Sequence, residues 1–134
     1  MRYAALIDGE AGAYGVVFPD LPGCVAMGVT LDEAMINAAD SLRDFVADAR
    51  EHGEEVPSPR DLDAIGKDPE VRQALAEGSA LTSVALVLPT GRPVKANLSI
   101  DEGVLRAIDA EASRRNLTRS GVVELMARHL LEET

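Results

Sequence analysis

Five residues, Pro89-Thr90-Gly91-Arg92-Pro93, do most to limit what this chain can become. Two prolines without backbone donors, with a glycine between them, prevent a helix or a central strand from running through. They mark a boundary, and the two parts, residues 1–89 and 93–134, must each find a way to bury apolar surface. The chain has 134 residues, four aromatic side chains and no tryptophan. Each core is therefore small, and pairing with a second copy is a natural source of stability.

Charge divides at the same place. Residues 1–90 carry 6 basic and 16 acidic side chains, whereas residues 91–134 carry 7 of each. The acidic front part would repel phosphates, so nucleic acid is a poor partner for it and a basic protein a better one. The same acidity also keeps a protein soluble. One cysteine, Cys24, excludes an internal disulfide and suits a reducing cytoplasm. The start of the chain is too short in apolar residues for a signal peptide, and no stretch approaches a membrane span.

Along the front part, residues 2–8 read as a strand, Asp8-Gly9 as a turn, Gly9–Ala13 as a loop and Tyr14–Phe18 as a second strand in a hairpin. Pro19-Asp20-Leu21-Pro22-Gly23 interrupts, and Cys24–Val29 resumes as a third strand. Thr30 and Glu33 have capping-box spacing and predict a helix start. Leu31, Met35, Ala38, Leu42, Phe45 and Ala49 recur at helical spacing as its inner face. Asp32, Asp40, Asp44 and Asp48 fall largely on the other side, a row more often solvated than functional, and Gly53 is the stop. The economical arrangement is a sheet with one covered face. Residues 54–60 form a loop, and 60–77 hold two short helical stretches broken near Gly66-Lys67-Asp68-Pro69. Leu81–Leu88 is a β-branched apolar run expected to join the same sheet.

The back part reads strand, helix, turn, helix. Val94, Ala96, Leu98 and Ile100 share one strand face, and Lys95, Asn97 and Ser99 the other. A helix over 102–115 turns Val104, Leu105, Ile108 and Ala112 inward, and Asn116 ends it in the left-handed region. Thr118 caps a last helix with Val122, Val123, Met126, Ala127, Leu130 and Leu131 as its stripe. One strand and two helices cannot stand alone. Two copies pairing strand to strand would bury the apolar faces on four helices. They would also present Lys95, Asn97 and Ser99 twice on a ribbon that fits the DNA major groove. Lysine donates to guanine, asparagine bonds adenine bidentately, and serine is permissive. Thr118, Arg119 and Ser120, at a helix start, suit phosphate.

This order resembles the ribbon-helix-helix repressors over residues 93–131. Those proteins often carry glycine where Asn116 stands and proline where this chain has Asp101. The string Tyr14-Gly15-Val16-Val17-Phe18-Pro19-Asp20-Leu21-Pro22-Gly23-Cys24, followed by Thr30-Leu31-Asp32-Glu33-Ala34, resembles the HicB antitoxins of HicAB toxin–antitoxin systems. That resemblance covers residues 1–60 and reaches weakly to 88. It implies an α+β chain: a partial ribonuclease H-like sheet with a packed helix, then a ribbon-helix-helix module. It further implies binding of a small basic toxin, HicA, an mRNA-cleaving ribonuclease with a catalytic histidine, and repression of the pair's own operon through operator DNA. Asp20, Leu21 and Asp32 are candidate toxin contacts.

A metal-dependent nuclease would need converging carboxylates, for which Asp8, Asp20 and Asp32 are the candidates. Asp20 lies in a proline-flanked turn, and Asp32 in a first helical turn where an acid is favoured for capping alone. Neither His52 nor His129 has ligand spacing, and Cys24 has no histidine or acid beside it. No enzyme activity, cofactor or metal is expected. A homodimer through the back part is expected, and pairing of the front parts as well would give a tetramer. The competing reading is a stand-alone repressor whose front part senses a small molecule.

Overall fold

The computed structural model describes residues 1–133, which divide into two compact units, Met1–Leu88 and Pro89–Glu133. In the first unit the strands are β1 (Arg2–Glu10), β2 (Ala13–Val17), β3 (Val25–Gly28) and β4 (Ala80–Ala85). They form one antiparallel sheet in the order β3-β2-β1-β4. Three helices accompany them: α1 (Leu31–Glu51), α2 (Leu62–Lys67) and α3 (Pro69–Ala76).

The hairpin is tighter than the sequence suggests. β1 runs on to Glu10, and Ala11-Gly12 makes the turn in place of Asp8-Gly9. Gly9 pairs with Tyr14 at φ +97, and a Cβ there would meet the Ala13 backbone. A glycine that reads as a breaker thus lets the strand continue through a conformation side chains avoid.

α1 begins as its spacing predicts. The Glu33 amide donates to Thr30 Oγ1 at 3.1 Å. It ends in a Schellman arrangement, with Gly53 at φ +69, the Glu54 amide on the Ala49 carbonyl and the Gly53 amide on the Arg50 carbonyl. Its buried stripe is Ala34, Ala38, Ala39, Leu42, Val46 and Ala49, with Met35 and Phe45 half-buried at the margin and Leu31 exposed. The predicted stripe was rotated by about one residue because larger apolar side chains outweigh alanine in a periodicity reading. Small residues let the helix lie close against Tyr3, Ala5, Val16, Ala26 and Val84 of the sheet.

The expectation of one covered sheet face is corrected. Ile65 of α2 and Val71 of α3 pack on Ala4 and Leu6, on the opposite face of β1. Asp61 and Asp68 cap these short helices through side-chain bonds to the Ala64 and Glu70 amides. β4 pairs with β1 from Arg2↔Ala85 to Ile7↔Ala80 and so joins the first sheet.

Cys24 lies in the α1-side core at 3% exposure, and burial pushes its thiol up to about 11. It therefore stays protonated and shielded at neutral pH. Iodoacetamide is expected to label it no faster than the unit unfolds; rapid labelling of the folded chain, followed by mass spectrometry, would contradict this burial.

The second unit holds α4 (Glu102–Arg115) and α5 (Arg119–Glu133). The Val104 amide bonds Asp101 Oδ1, Asn116 takes φ +57, and the Gly121 amide bonds Thr118 Oγ1, so all three boundary residues act as their types dictate. Residues 94–100 form no strand in the single chain. Ile108, Ala112 and Val122 are its buried core, with Val123 packed against them.

Candidate functional site

Residues 94–100 are exposed throughout, and Val94 reaches 86%. Lys95, Asn97 and Ser99 are exposed, and so are the apolar alternates, with Leu98 at 68% and Ile100 at 37%. Beside them α4 and α5 leave Val104, Leu125, Met126, Leu130 and Leu131 exposed. A groove of about 310 Å³ lies between the helices, lined by Glu111, Arg115, Val122, Leu125, Met126 and His129. With three buried and so many exposed apolar side chains among its described residues, this unit has not finished burying its apolar surface. Each such side chain is worth about 1.5–3 kcal/mol when fully buried.

The helix-start residues are occupied differently from expectation. Thr118 Oγ1 is the cap. Ser120 is exposed. Arg119 donates twice to Asp109, at 2.8 and 2.9 Å, and this fork holds the Asp109 carboxyl below its ordinary range. Arg114 and Arg115 both engage Glu111 and push its carboxyl down to about 2. With Arg106 on Glu102, these surface ion pairs engage four of the unit's seven basic side chains. Asp109 had no local sequence signal, but it faces Arg119 across the Asn116 turn, as opposite charges in a helical hairpin can.

In the first unit the Pro19–Cys24 turn is locked from inside. Leu21 is buried with Phe18 and Cys24. The Asp20 side chain, 5% exposed, accepts from the Arg60 amide at 2.9 Å and from Arg60 Nε at 2.5 Å. Arg60 Nη1 also reaches Asp68 at 3.0 Å and holds that carboxyl below its ordinary range. The Tyr3 hydroxyl donates to the Pro57 carbonyl at 2.7 Å, and burial raises its pKa. Loop 54–60 is therefore strapped at its middle by Tyr3 and at its end by the Asp20–Arg60–Asp68 bridge. Arg60 lies forty positions from Asp20, and periodicity cannot reveal such a partner. Asp32 stands exposed in the first turn of α1. Among the described residues, no group of three or more His, Cys, Asp or Glu comes together to hold a metal. Among the described residues, too, no helix is long and apolar enough to cross a membrane.

Taken by fold and site, this is a small α+β protein whose two units offer open surfaces to other molecules. A family model described as a HicB-like antitoxin of bacterial toxin–antitoxin systems matches residues 3–127, and the chain belongs to that family. It is similar to the crystal structure of the Burkholderia pseudomallei antitoxin HicB, with 29% identity, a TM-score of 0.57, and 98% of this chain and 99% of that one covered. The antitoxin HicB3 structure is similar at 26% identity and a TM-score of 0.55, over 98% of each chain. An uncharacterised 14.9 kDa protein of Haemophilus phage HP1 is 29% identical over 109 residues, 81% of this chain and 80% of that protein.

Proposed function

We propose that this chain masks a small, basic, mRNA-cleaving HicA-like toxin with its first unit and represses its own operon with its second. The first unit reads as a truncated ribonuclease H-like fold. Its acidity imitates the charge of the RNA that such a toxin would otherwise hold. In this reading Asp32 touches the toxin directly, while Asp20 and Leu21 act by fixing the loop between β2 and β3.

The exposed stretch Val94–Ile100, which forms no strand in the single chain, carries the DNA-binding half of the proposal. Placed against its equivalent in a second copy, it becomes a two-stranded ribbon. Val94, Leu98 and Ile100 then cover the open sides of α4 and α5, and Lys95, Asn97 and Ser99 face the groove. Phosphates meet the Thr118-Arg119-Ser120 helix start. The working compartment is the cytoplasm, and the smallest assembly is a dimer.

The test is co-expression with the protein encoded by the adjacent reading frame. A stable complex that stops that protein from cleaving mRNA, together with a gel shift on the DNA upstream of the pair, supports both activities. A chain that is monomeric and silent in both assays refutes them.

A further inference from the structure

The sheet has a face that the helices leave half bare. Val16↔Ala26 is a buried cross-strand pair on the α1 side. The flanking pairs, Val17↔Val25 and Gly15↔Met27, therefore point to the other face. α2 and α3 cover that face only over β1 and β4, through Ala4, Leu6 and Leu81. Over β2 and β3 neither α2 nor α3 packs on it, and Val17, Val25 and Met27 are 45%, 56% and 70% exposed. A half-solvated antiparallel sheet ordinarily carries polar side chains outward. Large apolar residues grouped on such a face mark a place where another molecule sits.

Three features say which molecule. Asp8 follows Leu6 on this face, and its Oδ1 lies 2.9 Å from where a Gly15 Cβ would stand, so a carboxylate borders the apolar patch. The unit carries 16 acidic against 6 basic side chains, so a second copy of it would be repelled and a cationic surface attracted. Asn37 Nδ2 donates to the Met27 carbonyl at 2.7 Å, so α1 already occupies an acceptor on edge strand β3. That occupation blunts strand addition and favours a partner lying on the sheet.

We infer that the bare half of the sheet, Val17, Val25 and Met27 beside Asp8, is the docking surface for a basic protein with an apolar centre. This deepens the antitoxin reading and rests on it, since the partner in question is the toxin. Beyond Asp32 in its first turn, the acidic side of α1 (Asp40, Asp44 and Asp48) then contributes attraction at a distance and little contact.

The experiment measures binding of the full chain to the protein of the adjacent reading frame by calorimetry, with self-association followed by sedimentation. Both substituted residues are exposed, so circular dichroism should show Met27→Lys and Val25→Lys folded as the parent. Met27→Lys is expected to weaken binding about 100-fold, Met27→Asp distinctly less, and Met27→Leu hardly at all. Asp40→Asn with Asp44→Asn on α1 should lower the association rate and leave dissociation unchanged. Unchanged binding by Met27→Lys and Val25→Lys overturns the surface while leaving the antitoxin reading intact. So does a result in which these variants lose only self-association, which would make the face a contact between copies. Failure of the parent chain to bind overturns the antitoxin reading and the surface with it.

Discussion

Asn97→Ala will abolish specific operator binding and leave partner binding by the first unit untouched. Asn97 stands at the middle of the polar alternates, between Lys95 and Ser99. In a two-stranded ribbon of identical strands it occurs twice, near the symmetry axis. An asparagine on adenine makes two hydrogen bonds that alanine cannot replace, worth about 1–3 kcal/mol per site. Symmetry doubles the loss, so the operator should bind about 30-fold to 20,000-fold more weakly. Fluorescence anisotropy with labelled operator measures it, and a scrambled sequence of equal length supplies the baseline. Lys95→Ala and Ser99→Ala should cost less, because a lysine is a mobile point donor and a serine accommodates several bases. Unchanged specificity in Asn97→Ala would mean that the stretch is not the reading element.

Gly28→Ala should destabilise the first unit by about 3 kcal/mol, the upper end of what overpacking costs. A Cβ on Gly28 would lie 2.7 Å from the Ala34 Cα and 2.9 Å from the Glu33 carbonyl carbon, within the first turn of α1. Backbone atoms cannot swing aside as side chains do, so β3 and α1 would have to separate, loosening Ala26 and Ala34 in the core. For a unit of this size, the midpoint of thermal unfolding should fall by about 12–24 °C. Gly66→Ala is the control: nothing lies within 4 Å of its added Cβ, its φ is ordinary, and it sits inside α2. It should stabilise by about 0.4–1 kcal/mol. Calorimetric scans of the three proteins separate the effects. A Gly28→Ala protein as stable as the parent would show that β3 and α1 are less closely packed than described.

What could be read without coordinates was what neighbours along the chain decide. Thr30, Gly53, Asn116 and Thr118 act locally, and their chemistry alone places helix ends. β4 joined the sheet because a β-branched apolar run has few other places to go. Three kinds of feature stayed hidden. Gly9 reads as a turn because sequence does not show that a positive φ can sit inside a strand. The Asp20–Arg60–Asp68 bridge and the packing of Ile65 on Ala4 depend on folding distant segments together. Residues 94–100 show their alternation plainly, but a lone chain offers no strand for them to pair with. Among the candidate contacts, sequence picked Leu21 for its place in a motif, and the fold uses it as core. It passed over Val17, Val25 and Met27 because apolar residues in strands are taken for core by default.

The closed arginines of the second unit bear on how such a repressor would search a chromosome. Arg119 is held by Asp109, and Arg114 and Arg115 by Glu111. Meeting a phosphate means surrendering a carboxylate already in hand, so one ion pair is exchanged for another and little free energy remains for arbitrary DNA. Counterions released from the duplex would be few, and affinity should fall only gently with added salt. Genomes offer on the order of a million or more competing nonspecific sites, and a protein that grips them poorly is not sequestered by them. Discrimination would then reside almost wholly in the ribbon, and the molecules not on the operator would stay free for the other partner.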